Sequence, residues 1–247
     1  MRRQDLILIL IAISVAGCQS LHQESAAHKA PSQQIRDRGK PREVMASNIT
    51  FDGKTGEIRY TLPEAALVRL RIGMQNGGPF LRNLLDWEER SKGEHVEVWD
   101  KKDVSGKIEF SGKGNYLLVL SCIPVEEKEW PRDSKTTKGF RKAPKFKISF
   151  PESSGEVRED VAIVKGDAPV RISLDPDDQK WLTETKYEVA LYIDYTFLLE
   201  DEEGSNPFTY RLKTENLNDG PHTITVNIAT FEGEAATQSA IVMVKNK

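Results

Sequence analysis

The sequence predicts an all-β chain, built as two tandem β-sandwiches behind an export signal and a polar tether. Three observations lead there. From about residue 47 onward, apolar and polar residues alternate with period two in one short segment after another, the pattern of half-buried strands. Gly-containing turns punctuate those segments at Asn76-Gly77-Gly78, Lys92-Gly93, Ser105-Gly106 and Ser111–Gly114. Sustained helical periodicity is missing, and many short strands with frequent turns are the signature of a sandwich.

The chain opens differently. Arg2 and Arg3 precede an apolar tract, Leu6–Ala16, that ends in Val15-Ala16-Gly17-Cys18. As a helix that tract covers roughly 16 Å, against about 30 Å of hydrocarbon in a bilayer, so it cannot span. A positive start, an apolar middle and small residues at the end describe a secretory signal, residues 1–17. The small-small-Cys ending resembles the lipobox of bacterial lipoproteins. That resemblance implies a lipidated Cys18 as the first mature residue, with the protein held through it at a cell membrane or outer membrane, facing the periplasm or the exterior. Residues 18–44 carry Pro31 and Pro41 and no periodicity, and read as a flexible tether reaching on the order of 25–30 Å.

The first sandwich is expected over residues 45–151. Leu67–Met74 places Val68, Leu70, Ile72 and Met74 on one face and Arg69 and Arg71 on the other. His95–Trp99 and Lys145–Phe150 alternate in the same way, the latter as the last strand of this domain. Phe80–Arg90 reads as a strand running into a charged loop, with a short helix as the other reading. Residues 152–160, which hold Ser153-Ser154-Gly155 and several acids, read as a flexible hinge. The second sandwich, residues 161–247, is expected from Val170–Leu174, one long strand Tyr187–Phe197, Phe208–Leu212, Thr223–Ala229 and Ala240–Val244.

Within the first domain, Tyr60-Thr-Leu-Pro63, Gly93-Glu-His-Val-Glu-Val-Trp-Asp100, Asp103-Val-Ser-Gly106 and Gly114-Asn-Tyr116 follow one another at a recognisable spacing. The segment Gly56–Cys122 resembles the immunoglobulin-like domain of the flagellar hook-cap scaffolding protein (FlgD-type), which also occurs on many secreted bacterial proteins. Lys101 stands where that family has a glycine after Trp-Asp, which puts the tight turn there in question. Leu217–His222, the strand after it and Phe231-Glu-Gly233 resemble bacterial immunoglobulin-like repeats, with His222 expected to bond the backbone at a corner. The resemblance implies two modules that present surfaces or act as spacers rather than catalysts.

Composition narrows the chemistry. Charged residues make up 30% of the chain at a formal net charge of −3, which gives no basic footprint for nucleic acid. Only two cysteines exist, so a lipidated Cys18 leaves Cys122 without an intramolecular partner, in an apolar run where a thiol is expected to be core. Of four histidines, His22 and His28 lie in the tether, and His95 and His222 in different domains; no zinc pattern, nucleophile elbow or phosphate loop is present. No cofactor and no catalytic residue is expected. Weak calcium candidates are the acidic loops Asp175-Pro-Asp177-Asp178 and Glu200-Asp-Glu-Glu203, although the spaced ligand order of a calcium loop is absent. Lys135, Lys138, Arg141, Lys142, Lys145 and Lys147 form a basic stretch that suits either anionic lipid and glycan or the protection of an edge strand. Trp130 and Trp181 are the aromatic candidates for glycan contact. The expected role is a non-enzymatic, membrane-anchored scaffold, adhesion or assembly module for an extracytoplasmic protein partner, and the alternative is a glycan- or calcium-binding module of the cell envelope.

Overall fold

The computed structural model describes residues 45–110, 115–125, 141–151 and 161–247, together with the backbone of 157–158. Residues 1–44, and with them Cys18, the tether, His22 and His28, lie outside the described residues, as do Trp130, Lys135, Lys138 and most of the 152–160 hinge. Among the described residues there are fifteen strands and one α-helix, and no helix is long and apolar enough to cross a membrane.

The first sandwich stacks two three-stranded sheets. One has the order β1 (Ser47–Asp52), β2 (Glu57–Leu62), β5 (Gly93–Val98); the other has β4 (Phe80–Arg90), β3 (Ala66–Met74), β6 (Tyr116–Pro124). Between them Ile58, Tyr60, Val68, Leu70, Ile72, Leu81, Trp99, Phe110 and Cys122 form the core, so Cys122 is a buried thiol as its apolar run implies. Phe80–Arg90 is strand throughout, pairing antiparallel with β3. Along β5 and into Trp99 the expected alternation holds, with His95, Glu97 and Trp99 on the covered side. Val96 and Val98 are 49% and 63% exposed.

The chain turns through a left-handed residue after Trp99-Asp100. Lys101 adopts the left-handed backbone, φ +60°, that a glycine would take there, and Asp103 closes the following loop by accepting from the Lys107 and Ile108 amides at 3.1 Å each. At the opposite side of this corner Gly56 is at φ +79°, where a Cβ would meet the Trp99 carbonyl oxygen at 2.0 Å; only glycine fits.

The second sandwich stacks β13 (Phe208–Lys213), β10 (Asp167–Leu174), β7 (Phe146–Ser149) on a six-stranded sheet. That sheet has the order β12 (Thr196–Asp201), β11 (Tyr187–Ile193), β14 (Gly220–Thr230), β15 (Ala235–Val244), β9 (Val161–Val164), β8 (Val157–Arg158), with β15 and β9 parallel. Three expectations are corrected here. The Lys145–Phe150 strand belongs to this sandwich, since β7 pairs with β10 from Leu174↔Phe146 to Arg171↔Ser149 and buries Phe146 in its core. Tyr187–Phe197 is a hairpin rather than one strand. Asp194 and Tyr195, at φ +47° and +68°, make a two-residue turn that pairs Ile193 with Thr196. A two-residue turn shifts parity, so Phe197 shares a face with Tyr192 instead of continuing the Tyr187–Ile193 row.

Third, Asp175-Pro-Asp-Asp178 is no loop. It starts α1 (Pro176–Thr185), with Asp175 as N-cap accepting from the Asp177 amide, proline in the first turn and two acids where the helix dipole favours them. Leu182 from this helix is fully buried in the second core.

Candidate functional site

The groups singled out by sequence are largely engaged in holding the fold. Asp178 accepts from the Lys145 amide at 2.8 Å and the Trp181 indole at 2.9 Å, so both its oxygens serve α1 and β7. Among the described residues no group of three or more His, Cys, Asp or Glu could hold a metal ion, and the calcium candidates Asp175, Asp177 and Asp178 are instead a helix start. Of the other acidic loop, Glu200 and Asp201 belong to β12, and Asp201 organises the following turn through the Ser205 amide at 2.8 Å. Trp181 lies beneath the Arg141 guanidinium, 5.0 Å from the ring centre, and packs on the second core. His95 stacks on Tyr60 with ring centres 5.3 Å apart and contacts the Ser91 carbonyl. His222 sits at its corner as expected, against the Asn218 carbonyl at 2.8 Å, and also meets Asp194 at 2.6 Å. The Asp194 carboxylate and the Asn218 carbonyl outweigh burial and raise the imidazole pKa. Lys145 and Lys147 flank and occupy β7, an edge strand, as the protective reading of the basic stretch requires.

What the sequence did not mark is the seam between the two sandwiches. The face of β3 that carries Leu67, Arg69, Arg71 and Gly73 is covered by the turn between β14 and β15 and by the chain at 141–143. Arg69 is only 4% exposed. It pairs with Asp86 at 2.9 Å, donates to the Gly233 and Arg141 carbonyls at 3.1 and 2.8 Å, and lies over the Trp87 ring at 4.3 Å. Asp86 in turn accepts from the Ala143 amide at 2.6 Å. Trp87 is the extra residue of a β-bulge, at φ +58°, and the bulge is what turns its ring onto Arg69.

A second staple lies alongside. Asn227, in the middle of β14, accepts from the Phe80 amide and donates to the Phe80 carbonyl, both at 2.8 Å, while Thr237 donates to the same carbonyl. A side-chain amide thus continues the ladder of β4 into the other sandwich. Arg71 donates to the Gly233 carbonyl at 2.7 Å and to Asn83 at 3.2 Å, and Asn83 donates to the Ala235 carbonyl at 2.9 Å. At the far end the hairpin tip sets Tyr195 edge-on to Phe110, 5.8 Å apart. Each sandwich therefore satisfies backbone groups of the other, and the two are locked together.

Between these staples remains a cleft of about 80 Å3. Gly73, Phe80 and Val119 line it from the first sandwich with Arg71; Ala190, Tyr192 and Ile228 line it from the second with Glu188 and Glu200. Glu200 stands opposite Ala190 in the β11–β12 pair, one diagonal step from Glu188, with which it shares a hydrogen bond. Burial, reinforced by the Glu188 and Glu202 carboxylates, pushes the Glu200 carboxyl up to about 7. Burial lowers Arg71 to about 9, which still leaves it charged at neutral pH, and holds the Tyr192 phenol at about 12. A mid-strand asparagine in an otherwise apolar-alternating segment was the one sequence signal of this seam. Charges on β3 read equally well as a solvated face.

No protein-family model matches the chain, and no curated protein matches it. Among solved structures, it is similar to the fibronectin(III)-like modules of Clostridium thermocellum CbhA, at 13% identity over 82% of this chain and 94% of that one, with a TM-score of 0.31. An endo-β-1,4-mannanase from Thermotoga petrophila aligns at 14% identity over 43% of this chain, with a TM-score of 0.31, and the alignment spans only 20% of the mannanase. A Bacteroides ovatus protein of a mixed-linkage glucan utilization locus, SGBP-B, solved with a heptasaccharide, aligns at 14% identity over 43% of this chain and 25% of its own, with a TM-score of 0.28.

Proposed function

We propose that this chain is a non-enzymatic, lipid-anchored module of the cell envelope that holds an extracytoplasmic protein partner. The anchoring rests on Val15-Ala16-Gly17-Cys18 behind an apolar tract too short to span, and the FlgD-type resemblance of the first sandwich supports a scaffolding role. The observation that carries the non-enzymatic reading is the consumption of reactive groups by the fold. Cys122 is core, His95 is stacked and bonded to a carbonyl, His222 is held at a corner, and Asp175 and Asp178 secure a helix. Interlocked sandwiches give a body that presents its faces in a fixed relation, which is what an assembly module uses.

Fractionation of cells expressing the wild-type chain and the Cys18→Ser variant tests the anchor. The wild type is expected with the membranes, carrying acyl groups on Cys18 by mass spectrometry, and the variant in the soluble fraction; equal membrane association of both overturns it. Turnover of an envelope substrate by the purified chain, abolished by a single substitution, overturns the non-enzymatic part.

A further inference from the structure

We propose that the cleft between the two sandwiches is a pocket for an alkylammonium group, a primary ammonium on a short aliphatic stem, with Glu188 and Glu200 as its counter-charge. Three features of the cleft select this chemistry. Its size comes first. About 80 Å3 is roughly half the ~150 Å3 cavity that accepts a benzene ring, so a straight chain of a few carbons fits where a sugar ring does not.

Its lining comes second. Gly73, Phe80, Val119, Ala190 and Ile228 offer mostly carbon, so an occupant gains by burying an apolar stem, in keeping with pockets that combine apolar walls and a few placed polar groups.

The charge balance comes third. On the Arg71 side the cations are already answered. Arg69 and Arg71 are drawn to Asp86 and Glu234, and their guanidiniums are bonded to the Asp86 carboxylate, the Asn83 side chain and the Gly233 and Arg141 carbonyls. On the Glu200 side the charges that act on it are further carboxylates, Glu188 on β11 and Glu202 after it, with the Tyr192 phenol beside them. Like charges so placed raise the cost of ionising Glu200, and an entering ammonium removes that cost. An anion meets the opposite. Tyr192 lines the same wall. Binding therefore drives the proton off Glu200, and affinity grows as pH rises through 7.

The ammonium could be that of a free small amine or of a lysine side chain on a partner, and the test separates the two. The full chain is titrated by calorimetry with n-butylammonium, butan-1-ol and butyrate at pH 6.0 and 8.0, in buffers of different ionisation heat. Saturable binding of n-butylammonium is expected, at least tenfold tighter than butan-1-ol or butyrate, with proton release at the lower pH. Glu200→Gln and Glu188→Gln, each checked for a cooperative melt no lower than that of the wild type, are expected to weaken it at least tenfold. An acetyl-Gly-Lys-Gly-amide peptide that binds at least as tightly assigns the pocket to a partner's lysine; a peptide that fails where n-butylammonium binds assigns it to a small amine. Butan-1-ol binding as well as n-butylammonium overturns the proposal, as do wild-type affinities in both Gln variants. The ligand series on the unaltered chain decides the matter even if a variant does not fold. A negative result leaves the anchoring at Cys18 untouched.

Discussion

The two sheets of the first sandwich invert the usual relation between polarity and exposure. On the β4-β3-β6 sheet the outward face holds Arg69, which is 4% exposed; on the β1-β2-β5 sheet it holds Val96 and Val98, 49% and 63% exposed. Both strands alternate with period two, and in both the residues facing the core are the expected parity or its complement for reasons of packing. The difference lies in what covers the outer face. The second sandwich sits over β3, so its arginines must find partners in protein, and they find carbonyls that the β14–β15 turn and the 141–143 segment leave unpaired. Nothing in the described residues covers β5, where β-branched residues are tolerated because they suit an extended backbone. Alternation reports a strand's period; a neighbouring module decides which face is dry.

The sharpest way to break the comparison is Arg69→Ala. It leaves the largely covered Asp86 without its cation, deprives the Arg141 carbonyl of its donor and leaves the Gly233 carbonyl to Arg71 alone. Removing one partner of a buried pair costs about 3–5 kcal/mol. Urea unfolding is expected to show that loss and to split into two transitions, one per sandwich. A single transition at unchanged midpoint would refute the seam as the lock.

Asn227→Ala probes the second staple. It leaves the Phe80 amide and carbonyl, both inside the seam, with Thr237 as the remaining partner of the carbonyl alone. A buried donor stripped of its acceptor costs about 1–3 kcal/mol. The expected signature is a lower urea midpoint together with faster amide exchange at Phe80; unchanged exchange there would show the staple to be dispensable.

A pH experiment comes next in size. The Glu200 carboxyl is raised to about 7 from an ordinary value near 4.5, so the folded chain holds a proton that the unfolded chain gives up. Stability is undiminished below about pH 4.5, falls as pH rises, and the full penalty is in place above about 7. Glu200→Gln removes the penalty. Its melting temperature is expected above wild type at pH 8.5 and equal to it at pH 4.0; a gain independent of pH would show that packing, not charge, is responsible.

Much of this architecture is legible in the sequence, and the exceptions share a cause. Strand positions follow from local alternation, and Asp103 and Trp99 were readable as parts of a spaced motif. Lys101 shows that a non-glycine can hold the left-handed backbone here, at φ +60°, beside the loop that Asp103 closes. By contrast, the partnership of β7 with β10 depends on where the chain goes after residue 125, and period two carries no information about that. Asp175-Pro-Asp-Asp178 reads as an acidic loop, solvated surface before weak calcium candidate, although its residues are those of a helix start; the polar exposed face of α1 hides the helix behind it. The seam was invisible because a covering module leaves no mark on the period of the strand it covers. Its charges look like solvated ones until the second sandwich is placed over them.

The mildest test replaces both exposed valines, Val96→Thr with Val98→Thr. Threonine keeps the β-branched shape that an extended backbone favours, and each side chain is already about half in water or more, so little apolar burial is lost. Substitutions on such a surface stay within about 0.5 kcal/mol. The same pair of changes in β3, at Val68 and Leu70, both fully buried, is expected to prevent folding, because a hydroxyl would be sealed in the core. Equilibrium unfolding of the Val96→Thr/Val98→Thr chain in urea measures the difference. A loss above about 1 kcal/mol would mean that the outer face of β5 is covered after all, for instance by a second copy of the chain, and a concentration-dependent midpoint would identify that copy as the cover.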